Sequence, residues 1–177
     1  IQDSLLVLQC QQGDGHAFAL LVERWQARLI RHAGRLTGNS DAASDVVQES
    51  WMAAVKGLAR LKDADAFSAW MFRIVTNKAR DWVRRQQRRR WLLDWLQRDA
   101  LIDTPAGESP DSRVDFLRAA LSRLSVTQRA LVTLYYEEGF STQEVADILG
   151  VPQGTVKSRL FHARDRIRSF MEETNDG

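Results

Sequence analysis

A chain of 177 residues, 44% hydrophobic and 27% charged, can bury one sizeable core or two small ones, and this composition excludes global disorder. A formal net charge of +2 excludes a uniformly basic coat, so where the charge sits says more than its sum. The single cysteine, Cys10, excludes an internal disulfide and a zinc site built from cysteines, and it fits a reducing cytoplasm.

No apolar run approaches the roughly 20 residues of a membrane span, and no signal-peptide pattern opens the sequence. Direct membrane insertion is therefore not expected. The chain opens on Ile1 without a methionine, which leaves room for residues before it. Glycine and proline are few. Strand-like alternation is absent, while apolar spacings of three and four recur throughout, so the expected fold is all-α.

A short helix is expected over Ser4 to Gln11. A second begins near His16 and carries Phe18, Leu21, Val22, Trp25, Leu29 and Leu36 at core spacing. A third begins near Ser40, read as its N-cap, with Asp41 and Asp45 near the positive end of the helix dipole. Its buried stripe reads as Val47, Trp51, Ala54, Val55 and Leu58. The opposite stripe holds Asp45, Gln48, Glu49, Met52 and Lys56, either a protein-binding surface or a solvated face.

A fourth helix runs from about Ala66 to Arg90. Arg73, Asn77, Arg80 and Arg84, spaced by four, three and four, form one stripe. The arginines continue through Arg85, Arg88, Arg89 and Arg90, and Asp81 is the only acid from Arg73 to Arg90. That imbalance points to a polyanion rather than to a merely soluble helix. The apolar WLLDWL, Trp91 to Leu96, follows, with Trp91, Leu92, Trp95 and Leu96 forming a short face for packing or for docking an inhibitor.

From Leu96 to Ser112 the composition turns acidic, with Asp99, Asp103, Glu108 and Asp111 among Pro105, Gly107 and Pro110. This reads as a linker, a plain tether or a functional one. Helical segments then follow over Val114 to Leu124, Val126 to Glu138, Thr142 to Leu149 and Pro152 to Glu172.

The strongest local signal lies between Ser141 and Arg168. Ser141 and Glu144 have capping-box spacing, Gly150 permits a left-handed stop, and Pro152 suits the first turn of the next helix. On that next helix Val156, Leu160, Ala163 and Ile167 make one stripe. Gly154, Lys157, Ser158, Phe161 and His162 face the other way, with Arg159 on one edge and Arg164 and Arg168 on the other. This is the layout of a helix-turn-helix recognition helix. Lys157 and His162 suit base edges or phosphates, Phe161 a thymine methyl, and the arginines phosphates. The plainer alternative is a helical hairpin with a solvated basic face.

Three segments carry a family resemblance. DVVQESWMAAVKGL, Asp45 to Leu58, resembles region 2.2 of sigma-70 family RNA polymerase sigma factors. AFSAWMFRIVTNKARDWVRRQQRR, Ala66 to Arg89, resembles regions 2.3 and 2.4, and GVPQGTVKSRLFHAR, Gly150 to Arg164, resembles region 4.2. Their order and separation resemble the extracytoplasmic-function (ECF) group, which keeps only domains 2 and 4.

The resemblance implies two small helical domains: region 2 over 1–95, a linker over 96–112, and region 4 with the helix-turn-helix over 113–177. It implies a transcription initiation factor that binds core RNA polymerase and promoter DNA and is controlled by an anti-sigma factor. Asp45, Gln48 and Glu49, with Met52 on the same face, fall where the family meets the β′ clamp helices, and Val126 to Tyr136 where it meets the β-flap.

Asn77 falls near the pocket for a flipped base of the −10 element, among Arg73, Arg80 and Arg84, with Leu61 to Ala66 as the loop before it. Lys157, Ser158, Phe161 and His162, flanked by Arg159 and Arg164, fall where the −35 duplex is read. The acidic linker matches the segment that passes through the RNA-exit path. The implied location is cytoplasmic, with membrane attachment only through an anti-sigma factor.

The sequence departs from the family pattern at Ser125, where proline is common, leaving that helix start less defined, and at His162, where a basic residue is common. No cofactor and no metal are expected. His16, His32 and His162 lie on different helices without ligand spacing, and no nucleophile motif or phosphate-binding glycine loop marks an enzyme. The rival reading is a stand-alone helix-turn-helix regulator, which leaves the arginine stripe with Asn77 unexplained.

Overall fold

The computed structural model describes residues 2–96 and 119–175 of the chain, and among these no strand occurs. The acidic linker lies outside the described residues. The first unit contains α1 (Gln2–Gln11), α2 (Gly15–Thr37), α3 (Ser40–Gly57) and α4 (Phe67–Leu96). The starts of α2 and α3 have local causes. Asp14 caps α2 by accepting from the His16 and Ala17 amides, and Gly38, at φ 68°, stops it in the left-handed conformation only glycine adopts cheaply. The cap of α3 is Asn39, whose side chain accepts from the Ala42 amide at 2.8 Å. Ser40, the sequence choice, is instead the first helical residue.

The core of this unit is built from Leu21, Trp25, Leu29 and Leu36 of α2, Val46, Val47, Trp51 and Ala54 of α3, and Phe67, Met71, Phe72, Val75 and Ala79 of α4. Trp25 meets Phe67 edge-on at 5.6 Å between centroids, the arrangement that aromatic quadrupoles prefer. Trp51 donates its indole N–H to Gln26 Oε1 at 2.8 Å. Two 3₁₀ turns, Leu58–Arg60 and Ala64–Ala66, join α3 to α4. Gln11 reaches across from α1 and donates to the carbonyls of Leu58 and Leu61, which fixes this connection.

Residues 119–122 form a helical turn. Then come α5 (Val126–Val132), which continues through a π-helical turn at Thr133–Glu137, α6 (Thr142–Leu149) and α7 (Gln153–Asn175). The start of α5 is well defined despite the absence of proline. Ser125 accepts from the Gln128 amide, and the Gln128 side chain accepts from the Ser125 amide, a complete capping box.

The two units are packed together. Leu131, Leu134, Phe140, Val145 and Ile148 belong to the same buried cluster as the α2–α4 core. Phe140 sits edge-on to Phe72 at 5.2 Å. Polar groups lock this junction. Arg28 donates to the Glu138 carboxylate and, at 3.2 Å, to the Glu138 carbonyl, while stacking over Trp25 and Phe72 at 5.0 and 5.3 Å. The Glu138 side chain is only 4% exposed. Removing Arg28 would strand a buried carboxylate, a loss on the order of 3–5 kcal/mol. Arg35 pairs with Glu137 at 3.3 Å.

His32 is fully buried between the units. Its Nε2 lies 2.9 Å from Thr76 Oγ1 of α4 and its Nδ1 3.4 Å from Thr133 Oγ1. The Thr133 hydroxyl is positioned to donate to the Arg129 and Ala130 carbonyls, so its oxygen is left to accept from Nδ1–H. Nε2 then accepts from Thr76. Burial first, and the Arg28 charge second, lower the His32 pKa to about 3, so the ring is neutral.

Candidate nucleic-acid and polymerase interfaces

The helix-turn-helix forms as its sequence dictates. Ser141 and Glu144 complete a capping box at the start of α6, and Phe140 and Val145, at the staple positions around that cap, are both buried. Gly150, at φ 66°, ends α6, and Pro152 accepts from the Thr155 amide to open α7. Gln153 donates to Thr142 Oγ1 at 2.9 Å and ties the two helices together. Val156, Leu160 and Ala163 are buried, and Ile167 packs half-buried against Ala163.

Lys157, Ser158, Phe161, His162 and Arg164 are exposed as the periodicity requires, while Arg159 is half-buried at the edge. Phe161 leaves 59% of its surface open and stands edge-on to His162 at 5.7 Å. Burying an aromatic is worth about 1.5–3 kcal/mol, so the exposed Phe161 ring beside cations has apolar surface to offer a partner.

On α4, Arg73, Asn77 and Arg84 are exposed, and Phe72, Val75 and Ala79 face the core. Arg84 and Asp81 lie 3.5 Å apart, both in solvent. Arg80 departs from the stripe. It is half-buried at the junction, its Nε has no partner, and its pKa is lowered by burial and then by Arg84, with Arg159 of α7 adding to the effect. Arg159 of α7 is thus within electrostatic reach of Arg80 of α4. The loop before α4 is held by Asp63, which accepts from the Asp65 amide at 3.0 Å, and by a hydrogen bond from Ser4 to Asp65.

On α3, Asp45, Gln48, Glu49 and Met52 are all exposed. Glu49 accepts from Lys78 of α4 at 3.2 Å, so it is tied within the protein. Val55 is a correction to the sequence reading: it is 59% exposed, next to the 60% exposed Met52. At about 100° per residue Val55 lies roughly 80° from Val47 and close to Gln48, on the edge of the outer face. The face is therefore a Met52–Val55 apolar patch rimmed by polar groups, a composition suited to protein contact. Of the α4 apolar tail, Trp91 and Leu92 are exposed, and nothing described covers them. Tyr136, at the end of the expected flap-contacting segment, is half exposed.

Comparison with known proteins places these features in context. Residues 21–89 match the model for Sigma-70 region 2, and residues 117–167 match that for Sigma-70, region 4. An ECF RNA polymerase sigma-E factor of Haemophilus influenzae is 33% identical over 97% of this chain and 96% of its own length.

The chain belongs to the ECF sigma factors of the sigma-70 family.

An RNA polymerase sigma-H factor of Pseudomonas aeruginosa is 31% identical over 97% of the chain and 94% of its own length. Among solved structures, CnrH in complex with the cytosolic domain of CnrY matches with a TM-score of 0.73 and 27% identity, covering 98% of this chain and 99% of that one. The sigma factor RpoE in complex with the anti-sigma factor NepR from Bartonella quintana matches with a TM-score of 0.68 and 26% identity, covering 88% of this chain and 96% of its own. For this ECF member, the stand-alone regulator leaves the region 2 match unexplained. Among the described residues no helix is long and apolar enough to cross a membrane.

Proposed function

We propose that this sigma factor directs core RNA polymerase to promoters through two DNA contacts that the packed form holds too close together to be used at once and that act after the two units part. The duplex −35 contact is made by Lys157, Ser158, Phe161 and His162, with Arg159 and Arg164 on phosphates. The −10 contact is made by Asn77, whose amide both donates and accepts, with Arg73, Arg80 and Arg84 on phosphates. Core polymerase binds the face of Asp45, Gln48, Met52 and Val55 at its β′ clamp helices, with Glu49 at its edge, and the β-flap meets Val126 to Tyr136. In domain terms, 1–95 and 113–177 act as separate binding modules once apart, joined by 96–112.

The observation that carries the opening is the packing of the two units, with Phe140 edge-on to Phe72 of α4 at 5.2 Å and His32 held between Thr76 and Thr133. Elements centred near −10 and −35 are about 25 base pairs apart, roughly 85 Å of duplex at ~3.4 Å per base pair. Two helices on units packed this closely do not span that distance. No catalysis is required of the chain. Base capture costs a few kcal/mol, which stacking and pocket hydrogen bonds offset, and the polymerase supplies the chemistry. The structural relative bound to the anti-sigma factor NepR supports control by an anti-sigma partner, and a partner that covers the Met52–Val55 face is the simplest inhibition. The protein then acts in the cytoplasm, reaching the membrane only through such a partner.

Fluorescence energy transfer between dyes at exposed Ala59 and Gln143, in a chain with Cys10→Ser, tests this reading. Transfer is expected to be high in the free protein and to fall on addition of core polymerase. Polymerase binding with unchanged transfer overturns it.

A further inference from the structure

A cleft of about 560 Å³ lies where the two units meet, apart from both DNA-facing surfaces and from the α3 face. Arg31 and Arg35 of α2, one turn apart, line one wall, Asn39 and Ser40 at the start of α3 line another, and Ser122 and Arg129 close it from the second unit. Arg35 is paired with Glu137. Among the described residues no carboxylate pairs with Arg31 or Arg129. The Arg129 Nε is buried without a hydrogen-bond partner, and burial lowers the pKa of this guanidinium. A guanidinium keeps its proton regardless, so a half-buried cation with no carboxylate partner among the described residues stands in the wall. The positive end of the α3 dipole adds to the same field.

We infer that this cleft binds a small phosphorylated molecule carrying at least two negative charges, and that the bound molecule holds the two units together. Guanidinium forks match phosphate oxygens in pairs, which a lone carboxylate does not satisfy at both Arg31 and Arg129. The volume falls within the range of pockets that hold ligands of nucleotide size. Because the walls come from both units, the site is whole only in the packed form. A ligand that binds one state alone shifts the equilibrium toward it. The regulatory consequence rests on the opening proposed above, whereas binding itself does not.

The test measures thermal unfolding and amide chemical shifts of the full chain with sodium orthophosphate, sodium pyrophosphate and ADP, each against sodium chloride at equal ionic strength. At ten times the dissociation constant, pyrophosphate or ADP is expected to raise the melting temperature by about 4 °C. The shifts should centre on Gly34, Gly38, Leu121 and Ser122. Orthophosphate matching pyrophosphate identifies free phosphate as the source, and a preference for ADP identifies a nucleotide.

Arg31→Gln, at an exposed position, and Arg129→Gln should abolish the shift, while Arg88→Gln with Arg89→Gln should retain it. No rise over chloride overturns the inference, and so does a rise that disappears with Arg88 and Arg89 but survives Arg31→Gln. At the same ligand concentration, the apparent dissociation constant for core polymerase should rise about tenfold for the parent chain and not for Arg31→Gln. Binding without that rise leaves the site standing and sinks only its regulatory role.

Discussion

Lowering the pH should loosen this protein through one residue, His32. The neutral ring is held between Thr76 and Thr133, and burial with the Arg28 charge keeps its pKa near 3, against an ordinary value of 6.5. The native state therefore resists protonation that the unfolded chain accepts. Stability from this site is complete above pH 6.5 and is lost progressively as the pH falls from there toward 3. Between pH 7.5 and 5.5 the loss is about 1.4 kcal/mol, a tenfold change in the folding equilibrium. Urea unfolding reads it directly: at a slope of about 2 kcal/mol/M the midpoint falls by about 0.7 M beyond the change shared with a non-titrating variant. His32→Gln is that variant, because its amide can still bond to both threonines. Identical pH dependence in parent and variant would refute the buried neutral histidine, and with it the polar pin between the units.

Three variants probe the binding surfaces separately. Phe161→Ala should weaken upstream duplex binding by about 1–3 kcal/mol in a fluorescence anisotropy assay, without a change in melting temperature, since Phe161 is outside the core. Asn77→Ala should leave that duplex affinity intact and reduce permanganate-reactive thymines in the open complex. A normal open complex with lost duplex binding would reverse the assignment. Asp45→Arg combined with Met52→Ala should reduce capture of core polymerase while circular dichroism stays unchanged, and full capture would remove α3 from the polymerase contact.

The features legible in the sequence were those fixed by near neighbours. Ser141 with Glu144, Gly150 and the Val156–Leu160–Ala163 stripe each depend on contacts within one or two turns, and each formed as read. Where two residues compete locally the sequence does not decide: Asn39 and Ser40 both cap well, and the fold uses Asn39. The Ser125–Gln128 box was legible but overshadowed by the missing proline. Val55 sits at the margin of its stripe, where a single helix wheel cannot say how far the neighbouring helix reaches.

The packing of the two units had no local signal. His32, Arg28 and Phe72 find Thr133, Glu138 and Phe140 across separations of about a hundred residues or, for Phe72, some seventy. Arg80, regular in its stripe by spacing, is half-buried, which its spacing does not show.

Transcription with core polymerase on genomic template, with and without this chain, tests the central claim most directly, by mapping the 5′ ends of the transcripts. Added protein should create a defined set of new starts, preceded by shared upstream and downstream elements, and Phe161→Ala and Asn77→Ala should each diminish them. Core polymerase that starts at the same positions in both reactions, while the chain binds duplex DNA by itself, would contradict the account.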